Sequence, residues 1–502
     1  MSVSDGIEAA LCVLALWFVS QSFYSVTFHP LSALPGPWLC AITRIPYWIQ
    51  LFRGNEVHWL HDLHNRYGTV LRFGPDDLSY ISSGAWKEIY GNRLELSKAP
   101  DYGIQPANGI RSLSTTDVDT HRLWRRMFAP AFSEVGLRKQ QPIFKEHMDA
   151  MVSLIERRLD TNLRSTSPSA KVELTSIFSF ATFDIMADLC FGQPLGLLER
   201  DRSSAWVNSI FKLIKLMPLS LFVEYYNVSR FLYRKFEPKC IQKKKHEHFQ
   251  HSAQRVHERV KTGSTRPDIW RQVSPAGPTE KLSLNAMCSN AELFMLAGTE
   301  TIATLLSGLI YHLCLRPEKL ELLKNEIRAS FDTVSDLSFR RLSQCAYLNA
   351  CIKEGLRIYP PVAVGVPRVV REGGMLIDNC WIPGGTRLSV AQYAAYHSER
   401  NFRDANAFIP ERWLPRGAQN KTDVDVHADP SPDVFHPFSY GSRDCLGRNL
   451  ALHEIRLIMG ALLVKFDFEL CEESHGWEKQ LNFLMWIKEP LFCLVSPVPS
   501  KN

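Results

Sequence analysis

Hydrophobic and polar positions along the 502-residue chain fall into three kinds of run. Residues 9–28, AALCVLALWFVSQSFYSVTF, are mostly apolar, and no Asp, Glu, Lys or Arg occurs between Glu8 and Arg44. Twenty residues at helical rise span about 30 Å, the thickness of a bilayer core. A cleaved signal peptide carries a basic segment ahead of its apolar run, whereas this run is preceded by Asp5 and Glu8 and followed by Arg44 and Arg53. These flanks favour a retained membrane anchor with the bulk of the chain on the cytoplasmic side. Ser20, Gln21, Ser22 and Ser25 dilute the run and keep the signal peptide as the rival reading. His29-Pro30-Leu31-Ser32-Ala33-Leu34-Pro35-Gly36-Pro37 follows, and three prolines in nine residues cannot continue a helix, so residues 29–37 read as a stiff hinge.

Residues 67–81, YGTVLRFGPDDLSYI, alternate apolar and polar positions around a Gly-Pro turn and predict a β-hairpin. Residues 286–315 run without proline and with few charges, which predicts a long, largely buried helix stopped at Arg316-Pro317. His58, His61 and His64 precede the hairpin three apart, but steps of three drift around a helix, and no carboxylate or cysteine completes a metal set there.

Composition changes the picture little: 45% hydrophobic and 22% charged residues are ordinary for a globular chain with a large core. No Gly/Ser-rich or highly charged linker divides it, so the expected organisation is an anchor at 1–28, the hinge at 29–37 and one catalytic domain at 38–502, mainly α with a small β portion. Twelve cysteines without CxxC pairs argue against disulfides and structural zinc, and for a reducing compartment. The net charge of +6 is mild, and no arginine-rich helix or aromatic-basic alternation suggests nucleic acid.

The candidate chemistry lies in Phe438-Ser439-Tyr440-Gly441-Ser442-Arg443-Asp444-Cys445-Leu446-Gly447. A thiolate that ligates heme iron must reach the metal while backbone amides and an aromatic neighbour shield it from water. Gly441 and Gly447 permit close approach, Phe438 suits packing against sulfur, and Arg443 is spaced for a heme propionate. A helix from Leu446 onward would favour the thiolate of Cys445 through its N-terminal dipole. Five fixed residue types give about one chance match in several thousand such chains. Upstream, Ala297-Gly298-Thr299-Glu300-Thr301 interrupts the long apolar helix with a glycine and a carboxylate. Both are costly there; a small-residue opening beside a hydroxyl and an acid suits entry of dioxygen and water and relay of protons.

The decapeptide resembles the heme-binding loop of the cytochrome P-450 superfamily, and residues 297–301 match its distal-helix motif. Glu354-Gly355-Leu356-Arg357, followed by Tyr359-Pro360-Pro361 and Phe408-Ile409-Pro410-Glu411-Arg412-Trp413, completes the order of motifs. The resemblance implies the cytochrome P-450 fold after one transmembrane helix, with heme b held by Cys445 as the axial thiolate. It implies Thr301 and Glu300 as the proton-handling pair, and Glu354, Arg357 and Arg412 as a structural network behind the heme. Arg443, Arg368, Arg125 and His121 become propionate partners, although many relatives carry Trp where this chain has His121 and here Trp124 follows three residues on.

As no GxGxxG fingerprint occurs, electrons must be supplied by another protein. The resemblance implies an NADPH-dependent flavoprotein reductase at the endoplasmic reticulum membrane, and admits cytochrome b5 as a further donor. Segments expected to face substrate by analogy are residues 102–113, 211–222, Phe294 and Ala297, 362–366 and 483–486. They are mostly apolar and imply a lipophilic ligand. FHPLSALPGPW, AITRIPYW and YGTVLRFGPDDLSYIS are similar to fungal enzymes that tailor secondary metabolites, the isotrichodermin hydroxylase type included, which points to a terpenoid, polyketide or alkaloid. Two rival classes stay open: a heme-thiolate isomerase or dehydratase without net oxidation, and a non-catalytic heme-binding protein.

Overall fold

The computed structural model describes residues 3–91, 96–102, 106–162, 169–263, 265–273, 282–415 and 431–499. The chain divides into two compact units.

The first unit comprises Met1–Tyr102, Ala363–Ala405 and Pro430–Arg443. It opens with the helix Val3–Thr27, whose Ser4–Thr27 stretch of 24 residues is long and apolar enough to cross a membrane and has none of its spanning window buried in the protein. Three further described helices meet the same length and composition; two of them, Leu174–Phe191 and Leu284–Cys314, are mostly buried in the protein. The proline-rich segment forms turns tied down by Arg72, whose amide donates to Pro35 O at 2.8 Å and whose guanidinium reaches Ser25 O at 2.9 Å. The hairpin forms as Val70–Gly74 paired antiparallel with Asp77–Tyr80. It continues into a five-stranded sheet through Arg387–Val390, which runs parallel to Asp77–Tyr80, then Arg368–Val369 and Ser97–Lys98. Leu71, Leu78, Leu388 and Val390 are buried on it. A separate hairpin, Met375–Ile377 with Cys380–Ile382, turns at Asp378 and Asn379, both left-handed at φ 47° and 62°, as a tight hairpin turn demands.

The second unit comprises Gly103–Val362, Asn406–Asp429 and Asp444–Asn502. Its axis is the helix Leu284–Cys314, two residues longer at its start and one shorter at its end than the apolar run predicts, because Ser283 caps it by accepting from the Ala286 amide at 3.2 Å. The almost wholly buried helix Leu174–Phe191 packs along it. A Cβ on Gly298 would lie 2.6 Å from Met186 Sδ, so that glycine admits the neighbouring helix. The helices Glu134–Asn162 and Arg448–Lys465 and an antiparallel sheet of Ala170–Glu173, Phe492–Pro497 and Phe466–Leu470 complete the unit.

The helix Val118–Phe128, which carries His121 and Arg125, is started by Asp117. Its carboxylate accepts from the amides of Asp119 at 3.1 Å and Thr120 at 3.0 Å, and the Thr120 bond above all pulls its pKa down to about 2. Asp117→Ala should cost about 1 kcal/mol in thermal or chemical unfolding. Because the folded pKa lies below the unfolded value of about 4, this contribution is complete above that pH and disappears as pH falls towards 2. The two proteins should converge in stability over that window.

Candidate active site

In the second unit, the centre of Leu284–Cys314 presents the acid and hydroxyl singled out in the sequence. The Thr301 hydroxyl donates to Ala297 O at 2.7 Å and remains exposed. Glu300 is 2% exposed and pairs with Lys488, whose Nζ lies 2.5 Å from Oε2 and donates to Thr304 Oγ1 at 3.2 Å. Glu300, read in the sequence as one of the proton-handling pair, is thus enclosed here by a cation from the C-terminal segment. Phe294, expected to face substrate, is packed edge-on against Phe128 at 5.1 Å and Phe132 at 5.6 Å, in an aromatic core. Asn290 Oδ1 accepts from the Leu113 amide at 2.8 Å, tying the end of the 102–113 segment to the long helix; residues 103–105 lie outside the described ones.

Cys445 is exposed, as is Cys12 in the N-terminal helix. Desolvation raises the Cys445 pKa, against a hydrogen bond from the Gly447 amide. The following helix starts at Arg448 with Gly447 as its cap, two residues later than the sequence suggests, because Leu446 and Gly447 complete the turn that exposes the sulfur. Next to Cys445, Asp444 pairs with Arg125, whose Nη1 also donates to the Asp444 carbonyl at 2.7 Å. His121 is buried on the same helix as Arg125, while Arg122 and Arg126 are exposed. Farther along the helix, Glu454 is fully buried with neither oxygen partnered among the described residues, and burial pushes its carboxyl well above the usual range.

Glu354, Arg357 and Arg412 come together with every side chain 0% exposed. Arg357 donates to Glu354 at 2.7 and 3.0 Å and to Ala407 O at 2.7 Å, and Arg412 Nε lies 3.3 Å from Glu354 Oε1. The Ile409 amide and the Trp413 indole, both at 2.8 Å, supply the remaining donors. Trp413 stood inside the quoted motif, but nothing in the spacing marked its indole as a partner.

In the first unit, Gly441 has φ 83°, and a Cβ there would collide with the Tyr90 carbonyl, so the residue must be glycine. Phe438 is half-buried, and the His436 carbonyl before it accepts from Gln392 Nε2 at 3.1 Å. Lys98 and Arg368 are directly opposed across two strands, an arrangement of like charges that destabilises a sheet unless an anion is present. Burial first, then Arg368 and Arg443, push the Lys98 pKa down to about 7. Lys98 was missed in the sequence, where an isolated lysine carries no sign of the arginine it will face.

The family model for cytochrome P450 matches residues 35–494. The chain is 41% identical over 481 residues to cytochrome P450 monooxygenase efuB of Hormonema carpetanum, covering 94% of this chain and 93% of that one. It is 40% identical to cytochrome P450 monooxygenase FUM2 of Gibberella moniliformis (93% and 98%) and 35% identical to averantin hydroxylase of Dothistroma septosporum (97% and 91%). The chain belongs to the cytochrome P450 family.

Cytochrome P450 enzymes are heme-dependent monooxygenases with a cysteine thiolate on the iron, and the residues of this one fit that cofactor. Cys445 offers an accessible sulfur with an amide donor, and Lys98, Arg368 and Arg443 form a cationic cluster suited to carboxylates. The mainly helical architecture with small sheets is the cytochrome P450 fold. Removing the charge at the centre of its buried network should be severe. Glu354→Ala leaves two enclosed guanidinium groups without a counter-charge, a loss of about 3–5 kcal/mol. Chemical unfolding of the purified protein should show it as a midpoint shift of that size.

Proposed function

We propose that this cytochrome P450 oxidises a lipophilic secondary metabolite, a terpenoid, polyketide or alkaloid, by hydroxylation, epoxidation or a related step. The observation that carries the reading is the accessible Cys445 sulfur beside the Gly447 amide, in a chain that also provides an acid and a hydroxyl at 300 and 301. Heme b, when bound, supplies dioxygen activation, its thiolate ligand favouring cleavage of the O–O bond. Cys445 serves as that ligand, with the Gly447 amide bonded to its sulfur. Gly441 lets the loop close against the backbone of Tyr90 and Gly91. Arg443, Arg368, Arg125 and His121 meet the cofactor's carboxylates, and Glu354, Arg357 and Arg412 keep the supporting helix and loop in place. Thr301 presents a hydroxyl whose lone pairs stay available while its proton is held by Ala297 O, and Glu300 supplies protons to it.

The N-terminal helix, none of whose spanning stretch is buried in the protein, supports a single-pass anchor in the endoplasmic reticulum membrane with the catalytic domain, 38–502, cytoplasmic. Residues 29–37 serve as the hinge. Electrons come from an NADPH-dependent flavoprotein reductase, with cytochrome b5 as a second donor. The filled acid and hydroxyl positions favour this reading over a heme-thiolate isomerase, which has less need of protons.

Cys445→Ala should abolish the strongly red-shifted carbonyl spectrum of the ferrous protein, whereas Thr301→Ala should keep it and release reducing equivalents as hydrogen peroxide. A normal carbonyl spectrum from the Cys445→Ala protein overturns the ligand assignment. Mass comparison of metabolites from a producer and a strain lacking the chain tests the reaction. An accumulated compound lighter than the normal product by one oxygen, or heavier by two hydrogens, supports oxidation; an isobaric one supports the isomerase.

A further inference from the structure

Lys488 belongs to none of the sequence motifs, yet its side chain is 3% exposed and its ammonium bridges Glu300 and Thr304. Residues 300 and 304 are one turn apart and share a helix face. Thr301 lies about 100° around the axis from Glu300, and its hydroxyl is turned to Ala297 O. The acid and the hydroxyl are therefore held on different faces, with the acid clasped. The second Glu300 oxygen, Oε1, is buried without a hydrogen-bond partner among the described residues, so the carboxylate is only half satisfied where it stands.

The segment that delivers Lys488 is itself tied. Trp486 stacks on Tyr359 with centroids 5.0 Å apart and donates to Pro360 O at 2.8 Å, and the Ile487 amide bonds Leu481 O at 2.9 Å. At its tip, Leu484 is left-handed at φ 68°, a conformation a branched residue adopts only when its surroundings impose it. This tip belongs to residues 483–486, apolar and expected to meet substrate. A strained tip and a half-satisfied ion pair thus sit four residues apart on one short stretch.

We propose that Lys488 is a positioning residue for proton supply. In the resting enzyme it holds the Glu300 carboxylate on the Thr304 face, away from Thr301. A lipophilic ligand that displaces residues 483–486 draws Lys488 off and frees the carboxylate to pass solvent protons to Thr301. The proposal rests on the monooxygenase reading. A productive turnover puts one atom of dioxygen into substrate and the other into water, using two electrons from NADPH through the reductase and two solvent protons. An unproductive one uses the same electrons and protons to release hydrogen peroxide.

The test uses the full chain with reductase, NADPH and dioxygen, without substrate. Lys488→Met should idle several-fold faster than wild type, with a smaller solvent isotope effect on NADPH consumption, while Lys488→Arg stays near wild type. The Lys488→Met, Glu300→Gln double variant should behave as Glu300→Gln alone. A purely structural clasp would lower thermal stability and leave the isotope effect unmoved, and that result, or simple addition of the two substitutions, overturns the proposal. Should the Met variant fail to fold, hydrogen exchange in the wild-type protein decides: dodecylimidazole binding should speed exchange of amides 485–488, and unchanged exchange overturns the clasp. A wild-type protein with neither a carbonyl spectrum nor reductase-driven NADPH consumption would overturn the monooxygenase reading first.

Discussion

Glu354 sits where water does not reach, so its charge has to be met entirely by protein. Two guanidinium groups, one indole and one backbone amide do so, and they come from two stretches of chain separated by about fifty residues. Replacing the whole set by apolar residues is conceivable for stability, but removing one member is not, because the others would then be enclosed and unmatched. The same constraint governs Glu300, answered by Lys488, a residue 188 positions away. Glu454 shows another situation for a buried acid: with neither oxygen partnered among the described residues, burial pushes its carboxyl well above the usual range.

What could be read in the sequence follows from how local each interaction is. The hairpin at 70–80 was legible because strand alternation and a Gly-Pro turn are properties of consecutive residues. The ends of the helix Leu284–Cys314 were legible to within two residues, since an apolar run and a proline mark them, although the cap at Ser283 extended its start. Cys445 and its glycines stood out because their frame of fixed residue types lies within ten consecutive positions. Lys488, Lys98 and the Trp413 indole were not legible as partners: each acts on a residue brought near by folding, and none alters the pattern of its own segment. Gly298 lay between these cases. A glycine inside a long apolar helix calls for a reason, but Met186, which fills the space a side chain would need, is more than a hundred positions away.

The division between fixed and adaptable parts follows the same line. Residues that address the cofactor sit in motifs whose spacing is dictated by the cofactor's own geometry. Residues that meet a substrate answer to a molecule that changes between pathways, and they occur in apolar stretches with no spacing rule of their own. A fold can keep its chemistry while its substrate varies for this reason.

The Glu354 network also has an order in time. The helix Ala346–Ile358 leaves the ribosome with Glu354 and Arg357 already neighbours, but Ile409 and Trp413 lie 55 and 59 positions downstream. At usual elongation rates, roughly 5–20 residues per second, the later donors follow after about 3–12 seconds. Until then this helix must keep its ion pair hydrated, so the core around it closes only after residue 413 has been made. A nascent chain halted before that point carries a charged face where the finished protein has an interior.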